Sequence, residues 1–256
     1  MHVLLCNDDG IYAKGLAVLA EEIRKIAEIT IVAPDREQSA VGHAITLSDP
    51  LRAQEYYKNG EFFGWAVNGT PADCVKLAIC AILNKRPDLV ISGINQGSNT
   101  GINVIYSGTV SAATEGRINN IPSFAVSLTS YTYRDFAPAA KFASLLAKSY
   151  LSQKLPKGVF LNVNIPALPE KEIKGIKITR QGQAQYNEIF HRRTDPKGKV
   201  YFWMDGERVE EENDPDIDDR AVRAGYISIT PVHFDLTYYE SLNQLKKDFS
   251  EFSWTE

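Results

Sequence analysis

Two adjacent carboxylates, Asp8 and Asp9, follow a short apolar run near the start of the sequence. The run contains Val3, Leu4 and Leu5 and is too short for a helix, so it predicts a buried parallel strand that ends in a turn. Ligands of an open parallel sheet bind beyond the carboxyl ends of its strands. Adjacent carboxylates there repel each other and are costly to desolvate unless a cation neutralises them. We therefore expect a metal site, although the same residues could form a plain strand-to-helix turn.

Two further oxygen-bearing side chains follow later strands of the predicted sheet. Ser39 lies in a polar run after a predicted second strand at 29–33, and Asn95 lies in a Gly- and Asn-rich run after a predicted strand at 88–92. Both runs would lie at the edge of the sheet that carries the carboxylates. Their hydroxyl and amide oxygens are suitable ligands for hard divalent ions. The alternatives are a solvated or capping serine and an ordinary turn.

A second group of residues has the chemistry of a phosphate site. Asn99 offers a side-chain amide from the Gly-rich run, and Ser107, Gly108 and Thr109 open a predicted helix. Helix N-termini bind phosphate through their free N–H groups and the positive end of the helix dipole. A capped helix with small residues packed against the sheet is the structural alternative.

The sequence patterns of the elements that must position these residues predict a doubly wound α/β fold. A helical pattern at 13–27 joins the first two strands into a β-α-β unit, in which the two strands run parallel. Further patterns predict strands at 43–47, 62–67, 122–128, 160–165 and 176–179, and helices at 70–83, after 106–109 and at 136–151.

The last quarter of the sequence has a different character. Residues 181–204 alternate polar with aromatic side chains around a turn at 195–198, which predicts a projecting hairpin. We expect an acidic loop at 207–219, a strand at 221–230 and a helix at 238–252. We interpret 1–180 as a Rossmann-like core, and 181–256 as a hairpin, a final core strand and an oligomerisation helix within one overall domain.

Composition excludes some functional classes. The 256 residues are 44% hydrophobic and 23% charged, typical of a globular domain, and a formal net charge of −4 argues against a general nucleic-acid binder. The odd number of cysteines, with no Cys-x-x-Cys pair, predicts reduced thiols in the cytoplasm. Neither a signal-peptide pattern nor an apolar run long enough for a membrane span is present. P-loop, G-x-G-x-x-G and zinc-ligand spacings are also absent.

Six ordered motifs together resemble the stationary-phase survival protein (SurE) family of metal-dependent nucleotidases. They are NDDG at 7–10, APDREQSA at 33–40, NGTPADCV at 68–75, SGINQGSNTG at 92–101, YSGTVSAATEG at 106–116 and AGYISITP at 224–231.

This resemblance implies a fold, an activity and an assembly. The fold would be a Rossmann-like, mostly parallel sheet with helices on both faces, and a C-terminal hairpin and helix arm would join a homodimer or homotetramer. The activity would be hydrolysis of nucleoside 5′-monophosphates, and of 3′ esters as well, by an acid-phosphatase-like enzyme that uses Mg²⁺ or Mn²⁺. By motif position, the metal ligands would be Asp8, Asp9, Ser39 and Asn95, and the phosphate contacts would be Asn99, Ser107, Gly108 and Thr109.

Asp8 and Asp9 are the expected catalytic residues. The metal would polarise the phosphoryl group and orient the attacking water, and Asp9 by preference would accept the proton of that water. Ser39 could instead be a nucleophile, but the sequence shows no base committed to it.

Two other classes remain open. A receiver-like regulatory module also binds Mg²⁺ at an acidic pair, but it would need an acceptor Asp where the third parallel strand here ends in Ser92 and Gly93. A structural oligomer with a vestigial site would bind metal without turning over any phosphate ester.

Overall fold

The fold is a large mixed sheet with helices on both faces. The computed structural model describes residues 1–150, 155–183, 185–209, 214–250 and 252. The strands are β1 (His2–Cys6), β2 (Glu28–Pro34), β3 (Ala53–Lys58), β4 (Glu61–Val67), β5 (Leu89–Gln96), β6 (Ser123–Leu128), β7 (Val159–Ile165), β8 (Ile176–Ile178), β9 (Gln185–Thr194), β10 (Val200–Val209) and β11 (Ile227–His233). The α-helices are α1 (Lys14–Ile23), α2 (Pro71–Leu77), α3 (Asn103–Tyr106), α4 (Gly108–Ile118), α5 (Ala137–Tyr150), α6 (Asp218–Arg223) and α7 (Tyr239–Asp248). A π-helix (Ala78–Ile82) continues α2, and a 3₁₀-helix spans Glu170–Glu172.

Nine of the described strands form one sheet in the order β3-β4-β2-β1-β5-β6-β7-β11-β8. The six strands from β4 to β7 are mutually parallel, whereas β3 pairs with β4 and β11 pairs with β7 in the antiparallel direction. The predicted doubly wound α/β fold is confirmed. Residues that follow β1, β2 and β5 therefore meet at one edge of the sheet.

Both faces of the central strands are buried, as a continuous apolar run predicts. Val3 and Leu5 pack with α1 and α5 on one face, and Leu4 and Cys6 pack with α2 on the other. The alternation follows from the two-residue period of a strand. β1 is thereby fixed at the centre of the fold.

Local capping sets where the site helices begin. The Thr70 hydroxyl accepts a hydrogen bond from the backbone N–H of Asp73, and the Asp73 carboxylate accepts one from the N–H of Thr70, which together form a capping box. The Ser107 hydroxyl accepts a hydrogen bond from the N–H of Val110 and begins α4 in the same way.

Three predicted boundaries are wrong. Residues 43–47 form no strand, because Thr46 and Ala44 are held by Asp73 and Thr70 at the start of α2; the strand is β3, whose polar sequence reflects its place at the sheet edge. β5 does not end at residue 92 but continues to Gln96, with a shift in its register against β6 between Ser92 and Asn95. Residues 218–223 form α6, so 218–219 do not belong to the predicted acidic loop and 221–223 do not belong to the last strand.

The predicted hairpin is confirmed, and its second strand extends beyond residue 204 to Val209. β9 and β10 form a separate two-stranded sheet that carries exposed Phe190, Phe202 and Trp203. Helix α7 has no buried residue among those described. Part of the predicted acidic loop, 210–213, lies outside the described residues, as do Leu151 at the end of the helix predicted at 136–151 and Glu251 near the end of the last one. In the ranges that the structure covers, no helix is long and apolar enough to cross a membrane.

Candidate functional site

A cleft of about 620 Å³ lies at the carboxyl ends of the parallel strands. The chain passes from β1 to β2 on one side and later places β5 on the other side, so the cleft occupies a switch point of the sheet. Its lining includes the predicted residues Asp8, Ser39, Asn95, Asn99 and Ser107. The other predicted site residues, Asp9, Gly108 and Thr109, contact members of this lining.

Asp8 is almost completely buried beneath the cleft. Its side chain accepts a hydrogen bond from the hydroxyl of Thr109, and its backbone carbonyl accepts one from the N–H of Gln38 at 2.8 Å. Burial raises the pKa of Asp8 despite the bond from Thr109, and the negative charge of Glu37 acts in the same direction as burial. The carboxylate is therefore fixed in position but poorly compensated in charge.

The charge of the Asp9 carboxylate is also poorly compensated. Its carboxylate accepts a hydrogen bond from the backbone N–H of Gln96 at 3.2 Å. Burial, and then the negative charge of Asp8, raise the pKa of Asp9 to about 7. In the part of the chain that the structure covers, every charge found to shift the pKa of either carboxylate is negative, and none offsets the rise. A bound cation would relieve the repulsion between them.

Ser39 approaches the cleft from the loop after β2. The loop is attached to the rest of the site by the bond from Gln38 to Asp8 and by a bond from the N–H of Gly42 to the carbonyl of Tyr106 at 2.9 Å. The exposed Ser39 hydroxyl donates to Glu37 at 2.6 Å. This donation leaves the hydroxyl oxygen lone pairs available as acceptors, and it also supplies a carboxylate neighbour that the sequence did not reveal.

Asn95 is aimed by the irregular end of β5. The register shift against β6 is a bulge, a device that commonly redirects a side chain beside a site. The Asn95 amide nitrogen donates to the carbonyl of Gly97 at 2.8 Å, which leaves its side-chain oxygen for the cleft.

The four candidate ligands fit a hard divalent cation. Two carboxylates, one hydroxyl and one amide oxygen form an all-oxygen donor set, as Mg²⁺ or Mn²⁺ prefers. Within the described ranges, no group of three or more His, Cys, Asp or Glu side chains could hold a metal ion. The set therefore depends on Ser39 and Asn95 as well as on the acidic pair.

The start of α4 is packed directly against Asp8. A Cβ on Gly108 would lie 2.7 Å from the Asp8 Cβ and 3.0 Å from Pro71 Cγ, so only glycine allows this approach. The Thr109 hydroxyl is engaged by Asp8, whereas Ser107 lines the cleft while capping the helix. Thr109 is thus suited to orient Asp8, and the N-terminal turn of α4 is suited to receive an anion.

Asn99 is held from several directions. Its side-chain nitrogen donates to the Ser127 hydroxyl at 2.8 Å, and its backbone is bonded by Asn162 and Asn164 of β7. The sequence signal for the latter two was a pair of asparagines in an otherwise apolar strand, to which sequence reasoning assigned no role.

The outer wall of the cleft comes from parts of the chain that sequence reasoning did not connect with the site. Two exposed aromatic residues, Tyr106 and Tyr131, contribute to it. The Tyr131 ring lies over Gly97, where an added Cβ would stand 2.6 Å from a ring carbon. The remaining wall is formed by hairpin residues, namely Glu188, Met204, Asp205 and Gly206. The alternating polar and aromatic pattern of the hairpin was the available signal.

Comparisons with known proteins agree with the motif resemblance. A family model described as Survival protein SurE matches residues 3–188. The chain is 54% identical over 249 residues to a protein of Pelotomaculum thermopropionicum named 5′-nucleotidase SurE, with 96% of this chain and 95% of that protein covered. It is 49% identical over 247 residues to a protein of the same name from Syntrophobacter fumaroxidans, with 96% and 99% covered.

A solved structure is also similar over nearly the whole chain. The crystal structure of the SurE protein from Aquifex aeolicus superposes with a TM-score of 0.84 at 42% sequence identity. The match covers 96% of this chain and 99% of the Aquifex aeolicus chain.

Proposed function

The chain belongs to the SurE family, and from that premise we propose that it is a 5′-nucleotidase that depends on a divalent cation. It hydrolyses the phosphate ester of a nucleoside 5′-monophosphate, with water as the second substrate and the nucleoside and inorganic phosphate as products. Its close relatives carry the name 5′-nucleotidase over almost their entire length, so the activity class rests on the whole fold rather than on one motif.

One observation carries the proposal of metal dependence. Asp8 and Asp9 are both desolvated and repel each other; Asp8 lines the cleft with two neutral oxygen donors, Ser39 and Asn95, and Asp9 is bonded to Gln96 of the same lining. These four residues would hold the cation, with Mg²⁺ and Mn²⁺ as the candidates. When bound, such a cation neutralises charge on the phosphoryl oxygens and lowers the pKa of a water molecule.

The chain's own residues supply the other parts of the mechanism. Thr109 fixes the orientation of the Asp8 carboxylate, and Asp9 accepts the proton of the attacking water. The N-terminal turn of α4, from Ser107 to Thr109, and the side-chain amide of Asn99 bind the phosphate oxygens. Ser39 serves as a ligand, because it lines the cleft with Asp8 and Asn95 and its lone pairs are free; Glu37, which accepts its proton, is the base that a nucleophilic role would use instead.

The nucleoside occupies the outer part of the cleft. A volume of about 620 Å³ accommodates a ligand of that size, and the exposed rings of Tyr106 and Tyr131 offer faces on which a base can stack. We extend the proposal to 3′ esters, to a cytoplasmic location and to a homodimer or homotetramer that forms through the hairpin and α7. The division into a core at 1–180 and an arm at 181–256 stays part of the same proposal.

The test is phosphate release from a panel of nucleoside 5′- and 3′-monophosphates with Mg²⁺, with Mn²⁺ and with a chelator. The expected result is release that requires metal and that falls on the order of a hundredfold or more in Asp9→Asn. Asp49→Asn removes an exposed carboxylate elsewhere and serves as the matched control, with wild-type activity expected. Thermal unfolding of both variants checks that they fold.

Two outcomes would overturn the proposal. Metal binding without phosphate release from any ester would favour a regulatory module or a structural oligomer with a vestigial site. Full activity in chelator would remove the metal from the mechanism, and full activity in Asp9→Asn would remove Asp9 as the proton acceptor.

A further inference from the structure

A seam of buried polar side chains runs across the face of the sheet behind the cleft. Its members come from β6, β7 and β11 and from the residue after β8, and each is 5% exposed or less. They are Ser127, Asn162, Asn164, Ser228, Thr230 and Thr179. The central strands of a parallel sheet normally carry apolar side chains at such positions, so a polar seam needs a physical reason.

The seam ends at a single residue of the Gly-rich loop, Asn99. Asn164 binds both polar groups of the Asn99 backbone: its side-chain oxygen accepts from the Asn99 N–H at 2.9 Å, and its side-chain nitrogen donates to the Asn99 carbonyl at 3.0 Å. Asn162 donates to the same carbonyl at 2.7 Å. Ser127 accepts from the Asn99 side-chain nitrogen at 2.8 Å. Backbone and side chain of Asn99 are thus held separately.

The positions of the two asparagines on β7 explain how this grip is possible. Residues 162 and 164 are two apart in one strand, so both side chains leave the same face of the sheet. Asn164 lies beside Ser127 in the pairing of β6 with β7. The three side chains therefore form a rigid platform on strands, and the loop that carries Asn99 rests on it. Sites supported by strands are held more accurately than sites carried by loops alone.

An amide in a dry interior is costly unless its hydrogen bonds are made. From this interior position both asparagines bind backbone groups of Asn99, which water could otherwise have hydrated. The Asn162 side-chain oxygen has no hydrogen-bond partner among the described residues. One of the two amides is therefore buried with an acceptor that is not satisfied. Ordinary packing is a poor explanation for such a residue, whereas accurate placement of Asn99 accounts for it.

We infer that Asn162 and Asn164 are positioning residues that act through Asn99, and that they fix its side-chain amide at the phosphate end of the cleft. Ser127 completes the unit by holding the amide itself. The inference rests on the proposed function, because it assumes that Asn99 binds the phosphate oxygens. It adds the β7 pair, on the strand two places from β5, to the residues that determine the rate.

The first test is a double-mutant cycle between Asn164→Leu and Asn99→Ala. Each variant alone is expected to lower kcat/KM about tenfold to a hundredfold, and the double variant is expected to be no worse than the more damaged single variant, since both changes remove one function. Asn162→Leu should have the smaller effect, because Asn164 still binds the same carbonyl. The inhibition constant of inorganic phosphate should rise in parallel, while the affinity for Mn²⁺ stays within about twofold of wild type.

Two further variants separate positioning from stability. Thr179→Val removes hydroxyl contacts with Ser228 and Thr230 at the far end of the seam, and it should lower Tm without changing kcat/KM. Ser127→Ala is a smaller change than Asn164→Leu. It keeps the test available if the asparagine variants do not fold, and its effect on phosphate inhibition should also disappear in the Asn99→Ala background.

Additive effects of Asn164→Leu and Asn99→Ala, with an active wild type, would overturn this inference and leave the nucleotidase proposal intact. So would an unchanged phosphate inhibition constant in Ser127→Ala. A wild-type protein that releases no phosphate from any nucleotide would instead overturn the proposed function, so the two failures are distinguishable.

Discussion

At the scale of single residues, the position of Asp8 is determined by what α4 places against it. Gly108 leaves room for the Asp8 side chain, and the next residue, Thr109, donates its hydroxyl to the same carboxylate. Two consecutive residues of α4 therefore provide the space for the Asp8 side chain and fix the orientation of its carboxylate. A hydrogen-bonded partner behind a metal-ligating carboxylate typically changes metal affinity by about 10- to 100-fold when it is removed.

We predict that Thr109→Val weakens Mn²⁺ binding by about tenfold or more, because valine fills the same volume but cannot donate to Asp8. Titration calorimetry with Mn²⁺ measures the effect. Thr114→Val, on the same helix, removes a hydroxyl that binds only the carbonyl of Val110 in the described structure, and it should bind Mn²⁺ as wild type does. Equal affinities in both variants would show that Thr109 has no role at the metal.

Residue types after strand ends were enough to predict the acidic pair and its oxygen-bearing neighbours, and Asp8, Ser39 and Asn95 do lie on one cleft. The chain position of Asn162 and Asn164 gave no such prediction, because their role depends on a loop more than sixty residues earlier in the sequence. Thr109 shows the same limit. Its place at a helix start suggested phosphate, whereas its contact with Asp8 required the packing of two distant elements.

At the scale of elements, the loop that carries Ser39 depends on ties to α2 and α4. His43 and Lys76 both contact Glu115 of α4, at 3.1 Å and 2.7 Å, and the Glu115 side chain is 2% exposed. Asp73 of α2 binds the backbone and the hydroxyl of Thr46. These bonds take residues 43–47 out of any strand pairing, which is why their apolar alternation was misleading.

We predict that Glu115→Gln lowers the free energy of unfolding by about 1–2 kcal/mol at pH 7, the usual loss for hydrogen bonds to a charged group. Urea unfolding at several pH values measures it. Glu170→Gln, which affects an exposed pair with Lys141, should change stability by less than about 0.5 kcal/mol.

The difference between wild type and Glu115→Gln should also depend on pH. Burial alone would raise the pKa of Glu115, but the bonds and charges of His43 and Lys76 outweigh burial and lower the pKa below its usual value of 4.5. A carboxyl whose pKa is lowered by folding stabilises the protein above its unfolded pKa and loses this effect as pH falls through the folded value. The part of the difference that comes from the Glu115 carboxylate should be present above about pH 4.5 and should shrink at lower pH. A difference that grows as pH falls below about 4.5 would contradict this assignment.

Periodicity predicted most elements because the central strands are largely apolar and α5 is long and amphipathic. It failed at β3, an edge strand with few apolar residues, and at α6, a short helix that precedes a strand. Both failures concern elements whose stability comes from neighbours rather than from their own pattern.

At the scale of the whole molecule, the cleft is assembled from distant parts of the chain. The candidate metal ligands come from residues before position 110, whereas Glu188 and residues 204–206 of the hairpin close the opposite side. In the hairpin, Glu188 pairs with Gly206 and Phe190 with Met204, near the middle of the two strands. Phosphate and nucleoside would therefore contact different parts of the fold.

We predict that replacing residues 185–209 with a short Gly-Ser linker raises KM for nucleoside monophosphates by about tenfold, equivalent to about 1.4 kcal/mol of lost contact. KM for p-nitrophenyl phosphate, which has no nucleoside, should change much less. Steady-state kinetics with both substrates measures the difference. The control shortens only the tip, with Asn-Gly in place of residues 193–201, and retains the cleft wall. Equal changes in KM for the two substrates would mean that the wall does not select the nucleoside.

The insertion of β11 between β7 and β8 has a consequence for the order in which the protein matures on the ribosome. β7 carries Asn162 and Asn164, yet one of its edges stays unpaired until residues 227–233 have been synthesised. Asp218, which binds the N–H of Gly101 beside the same loop, is also translated late. A nascent chain that already contains every candidate metal ligand therefore still lacks the support of its phosphate loop, and its open strand edge is a site where chains can associate incorrectly. Completion of the sheet and completion of the active site coincide.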